Sequence, residues 1–389
     1  MQPGVLMVTG AYYPEVSGGA LQCREVVRAL QGRAKFTILT TSTDSSLPEV
    51  GEVDGVPVYR VVVDVSRVGS KLRAALCLAS TFIRLCRRFD IVHFHGFSQK
   101  NLLLTMLAKL FRKTLVLHLR TAGHDEPLSI RSKGRLAFWS YSQADLFLGI
   151  SPYLQQLYYS SGLPREKFWL IPNGVDLERF RPGDRDQRQA LRRELRLPEE
   201  LTLILFVGFF SHEKHPDLLF EAWTRLLVGE LPITGLVFVG ATRSRYYEVD
   251  PALAQKIRAE SHRRGVEKQV IFVEVTHEIE KYYRAADVFV LPSSREGFSN
   301  ALLEAMATGL PCVASKLQGV TDVSIDNGIN GLLFPPGDVV ALENALRSLL
   351  KDPTFAQELG SRARATVEER YSITQTASRT LEAYQRLAG

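Results

Sequence analysis

Cysteine is scarce in this chain, and the four present are scattered. Cys23, Cys77, Cys86 and Cys312 form no close pair and no metal-ligand spacing. That excludes a disulfide scaffold and a thiolate zinc module, and it points to a reducing, cytosolic compartment. No stretch approaches the roughly 18 apolar residues that a membrane span requires. The start, MQPGVLMVTG, holds an apolar run of strand length only, so no secretory signal is expected. Repeats and low-complexity tracts are absent. Acidic side chains are missing from one region: residues 67–113 carry ten Lys/Arg against the single acid Asp90.

What is present describes a globular protein. The chain has 389 residues, with 45% hydrophobic and 23% charged side chains, and it is too long for one ordinary core. Charge is divided unevenly. Residues 1–173 hold 21 Lys/Arg and 12 Asp/Glu, a net +9, while the remainder nets −3. A basic half of this kind suits an anionic partner such as a membrane surface or a lipid phosphate. A nucleic-acid partner is not expected, because no aromatic-basic interleaving or nucleic-acid module is present.

Short apolar runs alternate with helical patterns along the chain. VLMVT, FTILT, VYRVVV, DIVHFH, TLVLHL, DLFLGIS and FWLIP read as strands of a first domain. TLILFVG, GLVFVG, QVIFV, DVFVLP, PCVAS and GLLFP read as strands of a second. Most are apolar throughout, as strands covered on both faces must be. Helices between them imply right-handed βαβ units and two doubly wound parallel sheets. IPNGVDLERFRPGDRD, rich in Gly, Pro and charge, reads as the linker. The expected division is 1–176, then 177–365, then a helical segment 366–389 packing back toward the N-terminal domain.

One stretch, SREGFSNALLEAMATGLP at 294–311, holds Glu296 and Glu304. Ser299 or Asn300 is a good N-cap, Ala301 to Ala307 are strong helix formers, and Gly309 and Pro311 close the helix. Glu296 then sits in the loop before a helix start and Glu304 on its second turn. Free amides at the helix start attract anions. Two carboxylates flanking an anion site suit a molecule with phosphates in its middle and hydroxyls at both ends, as a sugar nucleotide has.

With these elements in order, the chain resembles the retaining sugar-nucleotide glycosyltransferases of GT-B fold, glycosyltransferase family 4. The resemblance rests on YYPEVSGGA, SPYLQQLYYSSGLPREKFWLIPNGVD, FVGFFSHEKHPDLLFEAW, YYRAADVFVLPSSREGFSNALLEAMATGLPCVAS, NGINGLLFPPGD and the closing ERYS segment. It implies an α/β architecture of two Rossmann-like domains with the substrate in an interdomain cleft. It implies that Glu296 binds donor-sugar hydroxyls and Glu304 the ribose hydroxyls. The amides around Phe298, Ser299 and Asn300, with Gly297 before them, would hold the diphosphate. Lys214 in HEKHP matches the lysine that neutralises the leaving diphosphate. The chain departs from the family at Phe209, which stands where an arginine is usual. Arg243 or Arg245 could supply the missing cation.

Gly18 and Gly19 follow the first strand as a turn that lets backbone approach a phosphate or the acceptor. The family contributes an N-terminal histidine near the reacting carbon, and two candidates occur. His118 lies inside a strand and His124 in the loop beyond it; Arg120 could replace either. His93 and His95 share a strand face and could join His118 around a metal, but no cysteine or carboxylate completes a set, so no metal is expected. DRD at 184–186 reads as solvated charge. The segment SKLRAALCLASTFIRLCRR reads as an amphipathic helix with Leu72, Ala75, Leu76, Ala79 and Ile83 on one face and Arg73, Ser80, Arg84 and Arg88 opposite.

The sequence reading is therefore a cytoplasmic hexosyltransferase that uses a nucleoside-diphosphate sugar and no cofactor. Its acceptor is a glycan, a lipid-linked molecule or a small molecule, and docking on the inner face of a membrane is left open by the basic half. Two alternatives remain: an epimerase or hydrolase of the same fold, and a non-catalytic sugar-nucleotide-binding protein.

Overall fold

The structure is a computed structural model that describes residues 2–15, 17–227, 233–242 and 249–388. Arg243 and Arg245 lie outside the described residues. The chain divides into two compact units, Met1–Gly174 with Ile373–Gly389, and Val175–Ser372.

Among the described residues, the first unit has eight strands: β1 Gly4–Thr9, β2 Lys35–Ser42, β3 Val50–Val53, β4 Val56–Val62, β5 Ile91–His95, β6 Thr114–Leu119, β7 Leu146–Gly149 and β8 Phe168–Leu170. They form one sheet in the order β3-β4-β2-β1-β5-β6-β7-β8. Every pairing is parallel except β3 with β4. The sequence reading missed β3. Its residues, VGEV, are exposed or half-buried at the sheet edge, so no buried apolar run marks them.

The second unit has six: β9 Thr202–Val207, β10 Thr234–Val239, β11 Val270–Val273, β12 Val288–Leu291, β13 Cys312–Ser315 and β14 Leu332–Phe334. All are parallel, in the order β11-β10-β9-β12-β13-β14. In both sheets the strand order reverses beside the first strand, between β1 and β5 and between β9 and β12. Such switch points open a crevice at the carboxyl ends of the strands, where α/β sheets bind ligands.

Each sheet is covered by helices that bury its apolar face. In the first unit Val5, Met7, Cys23, Val26 and Ile38 pack with Leu381 and Tyr384 of the Ile373–Ala388 helix. In the second, Trp223, Phe206, Phe210 and Phe238 form the centre of the core. Asp287 ties β12 to β9, accepting from Leu203 N at 2.7 Å and from Arg192 at 2.5 Å. The Pro353–Arg370 helix runs unbroken in the second unit, so the chain returns to the first unit at 372/373.

The Val68–Leu85 helix corrects one expectation. It buries Ala74, Leu78, Thr81, Phe82 and Leu85, whereas the apolar face read from the sequence points outward. Leu72 is 64% exposed, Leu76 66% and Ile83 47%. The helix has two apolar stripes, and the sheet took the one containing the aromatic ring.

Candidate functional site

In the second unit the loop after β12 leads into the Asn300–Ala307 helix. Ser299 is its N-cap: the side chain accepts from Leu302 N at 3.3 Å and the carbonyl from Leu303 N at 3.2 Å. The amides of Gly297, Phe298 and Ala301 have no acceptor among the described residues. Phe298 is buried with its ring 5.5 Å from Tyr371, which fixes the loop backbone just before the helix. Donors at a helix start, held by a packed anchor, form an anion cradle.

The two glutamates flank that cradle. Glu296 is 9% exposed, and its Oε1 accepts from Lys214 Nζ at 2.6 Å and from Ser293 Oγ at 2.8 Å. Lys214 reaches this position because two loops are strapped together. Ser294 N donates to the Glu213 carbonyl at 2.8 Å, and Arg295 pairs with the Glu213 carboxylate. His215 turns the chain with φ of 48°, and Pro216 then opens the next helix. Glu304 Oε2 accepts from Tyr283 OH at 2.8 Å. Burial, and next the carboxylate beside it, push the Tyr283 hydroxyl well above its usual pKa, so it stays a donor. Phe209 is half-buried at the end of the strand before Lys214.

Lys214, Glu296, Gly297, Phe298, Ser299, Asn300 and Glu304 thus share one unit and surround or support one helix start. Ser293 and Tyr283, which hold the two glutamates, went unnoticed in the sequence. Tyr283 stood in the YYRAADV run and gave no signal beyond its aromatic type. Asp184 of DRD is the N-cap of the Arg185–Glu194 helix, accepting from Gln187 N at 2.8 Å.

The first unit holds the remaining candidates. Gly18 and Gly19 are not a free turn. They are the first residues of the Gly18–Ala29 helix, capped by Ser17, whose side chain accepts from Ala20 N at 3.1 Å. The turn reading failed because the cap precedes the glycines. His118 lies in β6, 6% exposed, and neither ring nitrogen has a partner among the described residues. His124 is half-buried in the following loop, where its carbonyl accepts from Lys133 Nζ at 3.1 Å.

His93, His95 and His118 come together, with ligand atoms within 4.8 Å of one another. Burial, then the Arg120 cation, hold His93 down at about 3 and His95 and His118 well below the usual range. His93 Nδ1 meets Tyr384 OH at 2.6 Å, and His95 Nδ1 meets Arg120 at 3.0 Å. All three imidazoles are neutral at neutral pH. A cation among them would stand close to the Arg120 guanidinium, an unfavourable neighbour for a metal.

Comparison with known proteins covers both units. The family described as Glycosyl transferases group 1 matches residues 187–366, and Glycosyltransferase Family 4 matches residues 16–179. Each unit thus matches a glycosyltransferase family model over most of its length, and the fold is GT-B. Lys214, Glu296 and Glu304 fall in the first of those matches, and Gly18, Gly19, His118 and His124 in the second.

Among curated relatives, a D-inositol 3-phosphate glycosyltransferase of Xylanimonas cellulosilytica is 33% identical over 57% of this chain and 52% of its own length. The chain spans about half the length of that relative and of similarly named ones. An uncharacterized glycosyltransferase of Methanocaldococcus jannaschii is 26% identical over 98% of this chain and 97% of its own. Two solved structures share the fold. Anabaena HepE in complex with UDP and glucose gives a TM-score of 0.81 at 18% identity, covering 99% of this chain and 100% of that one. A sucrose-phosphate synthase of Thermosynechococcus elongatus gives 0.81 at 22%, covering 100% and 99%.

Proposed function

We propose that the protein is a retaining glycosyltransferase that moves a sugar from a nucleoside-diphosphate sugar to an acceptor hydroxyl. The observation that carries this reading is the helix start at Asn300, flanked by Glu296 and Glu304 and approached by Lys214. The diphosphate lies on the amides and Lys214, which stabilise the charge that grows as the glycosidic bond breaks, in place of a metal ion. Glu304, steadied by Tyr283, takes the ribose hydroxyls. Glu296 has Oε1 committed to Lys214 and Ser293, leaving Oε2 for a hydroxyl of the donor sugar. Gly18, Gly19, His118 and His124 are the first unit's own candidates, backbone and imidazole respectively, for contact with a substrate. UDP and glucose, held by HepE in its complex, are of the class such a site takes.

Retention follows from attack on the face the diphosphate leaves, with a phosphate oxygen taking the acceptor proton. The protein then supplies position and electrostatics, and no carboxylate nucleophile. Incubation with a panel of nucleoside-diphosphate sugars and candidate acceptors, followed by NMR of the product's anomeric proton, tests this. A product with the donor's anomeric configuration is expected. Turnover without acceptor would favour the epimerase or hydrolase reading, and donor binding with no nucleoside diphosphate released would favour the binding protein.

The acceptor is best sought among lipid-linked molecules. Leu72, Leu76 and Ile83 of the Val68–Leu85 helix, and Met106 and Leu110 of the Lys100–Leu110 helix that contacts it, are exposed, within the region that carries ten Lys/Arg and one acid. Apolar groups ringed by cations suit an anionic lipid surface. No helix among the described residues is long and apolar enough to cross a membrane.

A further inference from the structure

We infer that the Lys214–Glu296 ion pair is a product-release device, which makes the second unit hold a sugar nucleotide in preference to the free nucleoside diphosphate. Both groups stand on loops of that unit, residues 208–215 after β9 and 292–299 after β12. Lys214 Nζ meets Glu296 Oε1 at 2.6 Å, and Ser293 Oγ donates to the same oxygen at 2.8 Å. The loop backbones are tied: Ser294 N donates to the Glu213 carbonyl at 2.8 Å, and Lys214 N to the Ser211 carbonyl at 3.1 Å. What remains free to move is the lysine side chain, a flexible stem that is 29% exposed against 7% for that of Glu296. Arg295, the other Lys/Arg on these loops, is already paired with Glu213.

The inference rests on the proposed transfer reaction, which needs Lys214 at the diphosphate and Glu296 at the sugar. Here the two hold each other instead. A bound donor resolves the conflict by an exchange of partners. Sugar hydroxyls donate to Glu296 in the lysine's place, and Lys214 turns to the phosphate oxygens. Hydrogen bonds to an ionised carboxylate are strong enough to replace much of the lost pairing. Free nucleoside diphosphate cannot complete this exchange. It brings no sugar hydroxyl, so drawing Lys214 away leaves a buried carboxylate with Ser293 alone, the unfavourable half of a broken pair. Transfer adds to the misfit. The glycosidic bond breaks with its electron pair on the phosphate oxygen, and negative charge grows on the side of the site that Glu296 serves. Glu296 then recaptures Lys214, and the diphosphate loses its cation once the sugar has gone.

Calorimetry of the full chain and of Glu296→Gln with matched ligands tests this: UDP with UDP-glucose, ADP with ADP-glucose and GDP with GDP-mannose. Glutamine keeps the shape of the side chain and still accepts from Ser293, but it has no charge to hold the lysine. In Glu296→Gln the free diphosphate should bind about fivefold tighter or more, and the matching sugar nucleotide no tighter than in the unaltered chain. General structural damage would weaken both ligands, so the divergent responses report the ion pair. A free diphosphate bound no tighter by Glu296→Gln, or both ligands tightened equally, would overturn the device and leave the proposed transfer standing. Should Glu296→Gln fail to fold, a crystal structure of the unaltered chain with the sugar nucleotide decides. Lys214 Nζ must then lie on a phosphate oxygen and sugar hydroxyls on Glu296; the 2.6 Å pair intact beside a bound sugar nucleotide overturns the inference. If the unaltered chain binds none of the six ligands, the proposed function and this device fall together.

Discussion

Glu296 is 9% exposed, and Lys214 Nζ sits 2.6 Å from its carboxylate. Removing the lysine leaves a buried carboxylate with Ser293 alone. Breaking a buried pair costs about 3–5 kcal/mol, but the lysine is 29% exposed, so solvent screening lowers the expectation to about 1–3 kcal/mol. Lys214→Ala should therefore lose that much in denaturant unfolding and nearly all transfer activity; full activity would show that another group faces the leaving phosphate. The histidine cluster sets a pH dependence. His93, His95 and His118 all titrate below their ordinary value of 6.5 when folded. Below that pH the unfolded chain takes up protons that the folded chain refuses. Their contribution to stability is full above pH 6.5 and declines as pH falls toward 3. Melting temperature should drop less steeply over this window in His118→Gln than in the unaltered chain. Parallel curves would mean that His118 is not held neutral.

At the scale of elements, the strands were legible because burial on both faces writes a continuous apolar run. The Ser299 cap, the helix after it and its Gly309 stop were legible from local chemistry. Three features were not. The edge strand β3 has no buried run. The placement of Gly18 and Gly19 depends on Ser17, one residue earlier. The Val68–Leu85 helix carries two apolar stripes, and periodicity alone cannot say which one meets the sheet. Nor could the sequence pair Tyr283 with Glu304 or Ser293 with Glu296, since those contacts depend on how loop and helix pack. The helix allows a direct check. Leu78→Ala should destabilise by about 2–5 kcal/mol as a buried deletion, while Leu72→Ser and Leu76→Ser should stay within about 0.5 kcal/mol. Comparable losses at the two sets would mean that the outward stripe is covered in solution.

For the whole molecule, charge and chemistry divide along the chain: the basic half carries the outward apolar stripe, and the acidic remainder carries the paired glutamates. Docking of the first unit on anionic vesicles should weaken sharply with salt, because screening shortens to about 8 Å at physiological ionic strength. Replacing Arg84, Arg87 and Arg88 with glutamine should reduce vesicle sedimentation and leave nucleotide affinity unchanged. Salt-insensitive binding to neutral and anionic vesicles alike, or binding to neither, would shift the acceptor to a soluble molecule. The central claim is that a nucleoside diphosphate lies at the helix start between Glu296 and Glu304. Isothermal titration of a nucleoside diphosphate panel against the unaltered chain, Tyr283→Phe and Glu304→Ala tests it most directly. One member should bind the unaltered chain at a single site. It should bind Tyr283→Phe about 1 kcal/mol more weakly and Glu304→Ala about 1.5–3 kcal/mol more weakly. Binding of no member, or equal affinity in all three proteins, would contradict the account.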